Sequence, residues 1–223
     1  MNILTVAATI QEVEPFMKHC AMKQVEQHLW AGKIKQHHVN CLISGIGMVA
    51  TAYHLTKAIC KKDFHLIINA GIAGSFNENI ALGCVVNITS EQFADFGIDD
   101  KGTYRSVFEA NFMDGNSAPF FNGTLVNPMK HAFISHLPEV SGITVNTASG
   151  SEEQIKKIKV KFSPEVENME GAAVFYVALQ QAMPFAEIRS ISNFVEPRNR
   201  NNWNISLAIE KLNSTLIGIF AEI

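Results

Sequence analysis

Short apolar runs rich in β-branched residues alternate with amphipathic segments, and this alternation constrains the fold of the chain more than any other feature. Six runs are typical of buried strands: 3–8, 39–44, 66–70, 84–89, 142–146 and 185–191. Apolar side chains recur at helical spacing over 48–60, 152–161 and 171–182, and a final helix is predicted over 204–220. Strands that alternate with helices form parallel crossover units, so the sequence predicts a layered α/β fold.

Two segments depart from this alternation. Residues 25–39 fit a hairpin that turns at Ala31 and Gly32, and its antiparallel pairing makes the expected sheet mixed. Residues 91–123 hold several glycines and aromatic residues with little periodicity. A long irregular connection is uncommon in a compact domain unless it is functional. We interpret the segment either as a loop near the ligand or a subunit interface, or as a variable surface insertion.

Length and charge narrow the class of protein. A chain of 223 residues, 47% of them hydrophobic, can bury one large core, so we expect one domain over residues 1–223. The net charge of −3 argues against a nucleic-acid partner, which is held mainly by clustered lysine and arginine. A small-molecule ligand is the better expectation.

The N-terminus and the cysteines bear on the compartment. The first apolar run lacks a basic segment and soon meets Glu12 and Glu14, which indicates a first strand rather than a signal peptide. No apolar run approaches the roughly 20 residues that cross a bilayer, so no membrane partner is expected. The four cysteines stand far apart, with no histidine at metal-ligand spacing. We expect reduced thiols in a cytoplasmic protein without a metal site.

The run SISNFVEPRNRNNW, residues 190–203, is the richest in polar groups that bind ligands. It follows the predicted strand 185–191, so Ser192, Asn193 and the arginines after them fall at the carboxyl edge of the sheet, where open α/β sheets bind ligands. The carboxamide of Asn193 offers two N–H donors and one carbonyl acceptor to the edge of a heterocyclic base.

Two glutamates follow strands in the same way. Glu12, in AATIQEV, is either a favourable charge near a helix N-terminus or a general base that activates a water. Glu170, in VENMEGAA, is followed by Gly171 and two alanines and is a candidate clamp for a ribose diol, whereas Glu167 fits an ordinary acid of a first helical turn.

The run NAGIAGSF, residues 69–76, follows another predicted strand. Its glycines permit tight turns and close approach of the backbone to a ligand. The run lacks the GKS or GKT of a Walker loop and the GxGxxG of a dinucleotide site. By itself it is weak support for ligand binding, and so is SGIGMVA at residues 44–50.

Taken together, AATIQEV, NAGIAGSF, VENMEGAA and IRSISN resemble the nucleoside phosphorylase/nucleosidase superfamily in order and spacing, over residues 1 to about 205. There is no RxGTxG phosphate loop, and Glu12 lies in a first helical turn, as in the branch that uses water. Methylthioadenosine/adenosylhomocysteine nucleosidases have Ser-Asp where this chain has Ser192 and Asn193. The run after Ser192 instead resembles futalosine hydrolases, which remove hypoxanthine from a nucleoside with an aromatic carboxylate on its 5′ side, in the alternative menaquinone pathway.

The resemblance implies a three-layer α/β fold with a mixed, mostly parallel central sheet flanked by helices, no cofactor, and a homodimer. It also implies the site. The roles fall on Glu12 for activating water, Arg189 near that water, Glu170 for the ribose hydroxyls, Met169 under the sugar, Ala73 and Gly74 along the base, and Asn193 in place of the acid.

The replacement of the Asp of those nucleosidases by Asn193 affects which base the site can bind. Along one edge a 6-oxopurine shows two acceptors, N7 and O6, whereas a 6-aminopurine shows the N7 acceptor beside an amino donor. An amide turns its NH₂ toward both acceptors without a raised carboxyl pKa, so Asn193 favours hypoxanthine. The preference is not exclusive, because the amide oxygen also pairs with adenine.

Arg198 and Arg200 follow closely, and arginine binds carboxylates through a bidentate fork. One of them is a candidate for binding the carboxylate of the substrate, and an aromatic residue would pack on the substrate's aromatic ring. The alternative is a solvated loop that Trp203 anchors in the core. The rival functions are a methylthioadenosine/adenosylhomocysteine nucleosidase, a phosphorylase and a silent nucleoside-binding protein.

Overall fold

The computed structural model describes all 223 residues. Its strands are β1 (Asn2–Ala7), β2 (Lys23–Glu26), β3 (Leu29–Ile34), β4 (His37–Ile43), β5 (Leu66–Ser75), β6 (Val85–Phe93), β7 (Gly97–Asp100), β8 (Thr103–Ser106), β9 (Phe120–Phe121), β10 (Thr124–Val126), β11 (Glu139–Thr144), β12 (Val166–Asn168) and β13 (Phe185–Phe194). Its α-helices are α1 (Ile10–His19), α2 (Met48–Lys61), α3 (Glu152–Phe162), α4 (Gly171–Gln180) and α5 (Ile205–Glu222). The four helices for which the sequence predicted residue ranges, α2 to α5, are confirmed.

One large mixed sheet organises the chain, as predicted. Its path runs β2-β3-β4-β1-β5-β12-β11-β6-β10-β9, and β13 pairs with both β5 and β6. The long ladders of β1 with β4, of β5 with β13 and of β6 with β11 are parallel. β7 and β8 form a separate hairpin. The carboxyl ends of β1, β5 and β13 therefore point the same way and bring the segments after them to one edge.

Helices cover both faces of the sheet, which gives the three expected layers. Alternate residues of β1 show the division, because Leu4 and Val6 belong to the core under α2 and α4, whereas Ile3 and Ala7 belong to the core under α1 and α5. A smaller core packs α3 against the end of β11. None of the helices combines the length and apolar character required for crossing a bilayer.

The predicted single hairpin over residues 25–39 was wrong. The segment forms two hairpins, β2 with β3 and β3 with β4, and Ala31 and Gly32 lie inside β3 rather than at a turn. A side chain at Gly32 would collide with the carbonyl oxygen of Cys20. The glycine therefore allows close packing, and the second turn lies at Lys35, whose φ is +50°.

Strands β5 and β13 are longer than predicted. β5 runs on through the glycines of NAGIAGSF to Ser75, so these glycines do not form a turn, and β13 runs on to Phe194. The two strands pair in parallel along this extension, where Asn193 lies opposite Gly74. Backbone hydrogen bonding to a neighbouring strand thus extends each strand past its apolar run.

The segment 91–123 is less irregular than predicted, because it contains the end of β6, the β7–β8 hairpin, β9 and the turn into β10. Its aromatic rings pack on one another instead of following a helical or strand period. Phe120 lies 5.0 Å from Phe108 and 5.9 Å from Tyr176 of α4, centroid to centroid. Packing between distant residues leaves no local pattern in the sequence.

Asn213 of α5 fixes the position of α1, which contains Pro15. Its amide oxygen accepts a hydrogen bond from Phe16 N–H (2.9 Å), and its amide nitrogen donates to the carbonyl oxygen of Glu12 (2.8 Å). These are the groups that an undisturbed helix would join to each other. The fully buried Asn213 therefore anchors the helical turn that carries Glu12.

Asn213→Leu should destabilise the protein by about 2 kcal/mol or more, because it leaves two buried backbone groups of α1 without their partner. Denaturant unfolding followed by circular dichroism measures the loss. Ser214→Ala, at the exposed next position of α5, is the control and should stay within about 0.5 kcal/mol of the parent. Equal stability of the two variants would show that Asn213 does not anchor α1.

Candidate active site

A cavity of about 340 Å³ opens where the carboxyl-terminal parts of β5, β12 and β13 meet the segment after β1. Six of the predicted site residues line it: Glu12, Ala73, Gly74, Met169, Glu170 and Asn193. Arg189 is fully buried beside them and contacts Glu170. Arg198 and Arg200 do not line the cavity. No residue of the segment 91–123 lines it either, although Glu91, its first residue, lies in the interior behind the wall and accepts a hydrogen bond from Asn168.

Glu12 is held from three directions. One carboxylate oxygen accepts from the backbone N–H (2.9 Å) and the hydroxyl (3.0 Å) of Thr9, and the other accepts from the N–H of Ile72 (3.2 Å). Burial raises the pKa of Glu12, and the nearby charge of Arg189 partly offsets that rise. The residue thus caps its helix and also faces the cavity, so the two interpretations of Glu12 are compatible.

Arg189 binds three side chains in the interior. Its Nε donates to Glu187 at 2.7 Å, and its two terminal nitrogens lie 3.4 Å from Glu170 and from the amide oxygen of Asn168. Burial by itself lowers the pKa of Arg189, but the carboxylates of Glu187, Glu170 and Glu12 outweigh it and raise the pKa. The guanidinium therefore stays cationic and fixes the carboxylates around it.

The sequence did not reveal a second pair of buried acids, Glu91 and Glu187, beside this cation. Glu91 accepts from Asn168 (2.6 Å) and from the hydroxyl of Thr144 (2.9 Å), while one oxygen of Glu187 has no hydrogen-bond partner. Burial raises the pKa of both carboxyls, and for Glu91 the neighbouring Glu187 raises it further. Single acids within apolar strands give no sign in the sequence that they face each other.

Glu170 sits at the start of α4. One oxygen accepts from the N–H of Gly47 at 3.0 Å, and the other lies 3.4 Å from Arg189. Asn168, rather than Glu170, caps the helix, because its amide oxygen accepts from the N–H groups of Glu170 and Gly171. This arrangement leaves the carboxylate of Glu170 on the wall of the cavity, free of a capping role.

Asn193 lies at the other end of the cavity in a defined orientation. Its amide nitrogen donates to the carbonyl oxygen of Phe194 at 3.0 Å, and its amide oxygen lies 2.8 Å from the hydroxyl of Ser192. A carbonyl oxygen only accepts, so the nitrogen must be on the Phe194 side. One N–H of the amide satisfies Phe194, which leaves the second N–H for a ligand.

Two glycines of β5 make room for these groups. A side chain at Gly71 would collide with the guanidinium of Arg189 and come within 3.0 Å of Glu12. A side chain at Gly74 would reach 2.9 Å from Val195 and 3.1 Å from the amide nitrogen of Asn193. In the structure these glycines give space to protein side chains, whereas the approach of a ligand to NAGIAGSF stays a prediction.

Several residues of the cavity were not predicted to bind ligand. Glu167 lines the wall and accepts from the backbone N–H of Ser149 at 2.9 Å, and Ile46 and Trp203 line the mouth. The guanidiniums of Arg198 and Arg200 lie 5.4 Å and 5.9 Å from the ring centroid of Trp203. The two exposed arginines therefore lie against Trp203 at the entrance of the cavity. The only sign in the sequence that Trp203 is near the site was its position shortly after SISN.

Charge is unevenly distributed over this cavity. One end presents Glu12 and Glu170, backed by Arg189, whereas the end beside Gly74 presents the amide of Asn193 together with the single carboxylate of Glu167. Carboxylates stabilise developing positive charge, and an N–H donor stabilises developing negative charge. The arrangement suits the cleavage of a bond whose electron pair moves from the acidic end toward the amide.

Comparison with known proteins agrees with the fold. A family model described as Phosphorylase superfamily matches residues 2–221. A 5′-methylthioadenosine/S-adenosylhomocysteine nucleosidase of Haemophilus ducreyi is 28% identical, over 98% of this chain and 97% of that protein. A futalosine hydrolase of Acidothermus cellulolyticus is 27% identical, over 77% of this chain and 70% of that protein. The solved structure of a futalosine hydrolase of Helicobacter pylori matches with a TM-score of 0.84 at 15% identity, and the match covers 100% of this chain and 98% of that chain.

Arg189→Met should destabilise the protein by about 3–5 kcal/mol, because the substitution leaves buried carboxylates without their cation. The loss should grow from pH 5 to pH 8. Loss of the cation raises the pKa values of Glu12 and Glu187 still further above those of the unfolded chain, so the folded variant binds more protons and its stability falls as the pH rises. Denaturant midpoints at the two pH values measure both effects.

Arg105→Met is the control for this variant. Arg105 pairs with Asp100 on the β7–β8 hairpin, where both side chains are about half exposed, so its loss should cost less than about 1 kcal/mol. A pH-independent loss in Arg189→Met would show that the carboxylates do not depend on the arginine.

Proposed function

Within the phosphorylase superfamily, to which this chain belongs, we propose that the protein hydrolyses the N-glycosidic bond of futalosine. The products would be hypoxanthine and dehypoxanthine futalosine, in the alternative menaquinone pathway. The named relatives are nucleosidases and a futalosine hydrolase, so the coarser class is that of an N-glycosyl hydrolase. The choice of futalosine among nucleosides depends on the chemistry of the base pocket.

The acidic end of the cavity supplies the water and holds the sugar. Glu12 takes a proton from the attacking water, whose oxygen adds to the anomeric carbon, and the electron pair of the broken bond moves to the purine. Burial raises the pKa of Glu12, which makes it a stronger base than an exposed glutamate. Glu170 accepts from the ribose hydroxyls, and Met169 packs under the sugar. Arg189 pairs with Glu170, and its charge acts on the nearby carboxylate of Glu12.

The orientation of Asn193 is the observation that carries the choice of base. Phe194 fixes the amide nitrogen, and the second N–H faces the cavity, where it meets an acceptor. N7 and O6 of an oxopurine are both acceptors, so the one free N–H meets an acceptor at either atom, and its donation stabilises the charge of the departing base. Water then supplies the final proton, because an amide is a poor acid.

A methylthioadenosine/adenosylhomocysteine nucleosidase is the second candidate, since a protein of that name matches this chain over nearly its whole length. Adenine would place its amino donor against the N–H of Asn193. To accept from that amino group, the amide would have to turn, and its oxygen would then face the carbonyl oxygen of Phe194. This mismatch favours the oxopurine.

Identification of the released base tests the proposal. The protein is incubated with futalosine, inosine, adenosine and methylthioadenosine, with and without phosphate, and the free base is identified by chromatography. We expect release of hypoxanthine that does not depend on phosphate. The rate should fall at low pH as Glu12 becomes protonated, with a midpoint above the ordinary pKa of glutamate, because burial raises the pKa of Glu12. Phosphate dependence would indicate a phosphorylase, adenine release the second candidate, and no release from any nucleoside a binding protein.

A matched pair of variants assigns that release to this cavity. Glu12→Gln should lower turnover by roughly 10²- to 10⁴-fold, because the amide cannot accept the proton of water. Glu14→Gln, on the exposed side of the same helix, should leave turnover unchanged. Similar rates for the two variants would remove Glu12 from the reaction.

Asn193→Asp should lower turnover of 6-oxopurine nucleosides by roughly 10²-fold or more. An ionised carboxylate would face the carbonyl oxygen of Phe194 and also O6 of the base, so it would repel both. Steady-state rates with inosine measure the loss, and Asn201→Asp in the exposed loop is the control. Unchanged rates for Asn193→Asp would exclude Asn193 from the mechanism.

One of the arginines beside Trp203 should recognise the carboxylate of the full substrate. The matching alanine variant, Arg198→Ala or Arg200→Ala, should lower kcat/KM for futalosine by about 10- to 100-fold and leave the value for inosine unchanged. Inosine lacks the carboxylate, so it reports on the rest of the site. Equal losses with both substrates, or none in either variant, would support the alternative of a solvated loop.

Homodimerisation is also part of the proposal. Ile46, just before α2, exposes 63% of its surface and lines the cavity, and Val49 and Tyr53 near the start of α2 expose 83% and 60%. An exposed apolar stripe of this kind is typical of an interaction surface. Light scattering during size-exclusion chromatography measures the mass of the particle.

A further inference from the structure

Gly74 lies between two polar residues in the sheet. It pairs with Asn193 of β13 on one side and with Glu167 of β12 on the other. Residues directly opposite each other on paired strands direct their side chains to the same face. The amide and the carboxylate thus stand on the same side of the sheet, and both line the cavity.

The space between these two side chains is open. Neighbouring strands lie about 4.8 Å apart, so the backbones of Asn193 and Glu167 flank Gly74 at a separation of roughly 10 Å. Gly74 has no side chain to fill the gap, and an added Cβ would approach Asn193. The edge of a flat bicyclic base fits such a gap, with one end at the amide and the other at the carboxylate.

Glu167 is an acceptor held in a fixed position. Its oxygens accept from the backbone N–H of Ser149 at 2.9 Å and from the hydroxyl of Ser149 at 2.5 Å, and the residue is buried. Burial raises the pKa of Glu167, and the bonds from Ser149 counter that rise. A carboxylate has about four acceptor positions, so Glu167 retains capacity for a donor from a ligand.

We propose that Glu167 is a specificity-determining residue that accepts a hydrogen bond from N1–H of a 6-oxopurine base. The inference rests on the proposed function and extends it to the opposite end of the base. A 6-oxopurine shows, in order, acceptors at N7 and O6 and a donor at N1. A 6-aminopurine shows an acceptor, a donor and an acceptor. Asn193 and Glu167 together match the first order and oppose the second at N1.

Two variants with the same chemical change test this role. Glu167→Gln removes the charge and adds a donor, so kcat/KM for inosine should fall by about 10- to 100-fold, the effect of losing a hydrogen bond to a charged group. The value for adenosine should not fall, because the new N–H can meet N1 of adenine. The ratio of the two values measures specificity apart from any general loss of activity.

Glu165→Gln is the matched control. Glu165 also accepts from the backbone N–H (2.9 Å) and the hydroxyl (3.3 Å) of a serine, Ser141, but it lies outside the cavity. In the Glu165→Gln variant, the ratio of kcat/KM for inosine to kcat/KM for adenosine should equal that of the unaltered protein. A ratio that is unchanged in Glu167→Gln, or that changes equally in both variants, overturns the role of Glu167.

A substrate probe applies even if Glu167→Gln does not fold. The unaltered protein should cleave 1-methylinosine at least about 10-fold less efficiently than inosine, because the methyl group replaces the N1–H donor. Equal cleavage of the two nucleosides overturns the proposal. Failure of the unaltered protein to release hypoxanthine from futalosine and inosine would instead refute the proposed function itself, so the two failures are distinguishable.

Discussion

The buried cation of Arg189 is the interaction on which the rest of the site depends. It is the only buried arginine or lysine, whereas five glutamates are buried. Isolated carboxylates are costly to bury unless they are paired or protonated. By pairing with Glu187 and Glu170 and lying close to Glu12, the guanidinium allows several acids to share one small volume of the interior. The acidic end of the cavity exists because this charge is present.

The backbone of β5 connects this acidic end to the base end. Gly71 gives space to Arg189 and Glu12, and Gly74, three residues further, gives space to Asn193. Extended residues advance about 3.3 Å each, so the two places are roughly 10 Å apart, a distance that a nucleoside spans. A rigid central strand therefore sets the spacing between Glu12, proposed to activate water, and Asn193, proposed to receive the base.

The polarity of the cavity follows the polarity of the proposed reaction. Cleavage builds positive charge on the sugar and negative charge on the base, and preorganised groups of opposite character lower the barrier most. Glu12 and Glu170 lie at one end, and the donor N–H of Asn193 lies at the other. Glu167 places an ionisable group beside the amide, so the proposed discrimination between bases involves both residues, whereas the motif SISN alone points to Asn193.

The sequence by itself determined the layered α/β class and the helices α2 to α5, because apolar periodicity is a local property, and the resemblance of its short motifs to the superfamily implied six residues of the cavity wall. Only the tertiary structure decided how far β5 and β13 extend and that Ala31 and Gly32 lie inside a strand. It also decided that Glu91, Glu167 and Glu187 lie beside the site. Strand extension and the burial of charge depend on partners distant in the chain, such as Asn193 opposite Gly74, and no local pattern records such partners.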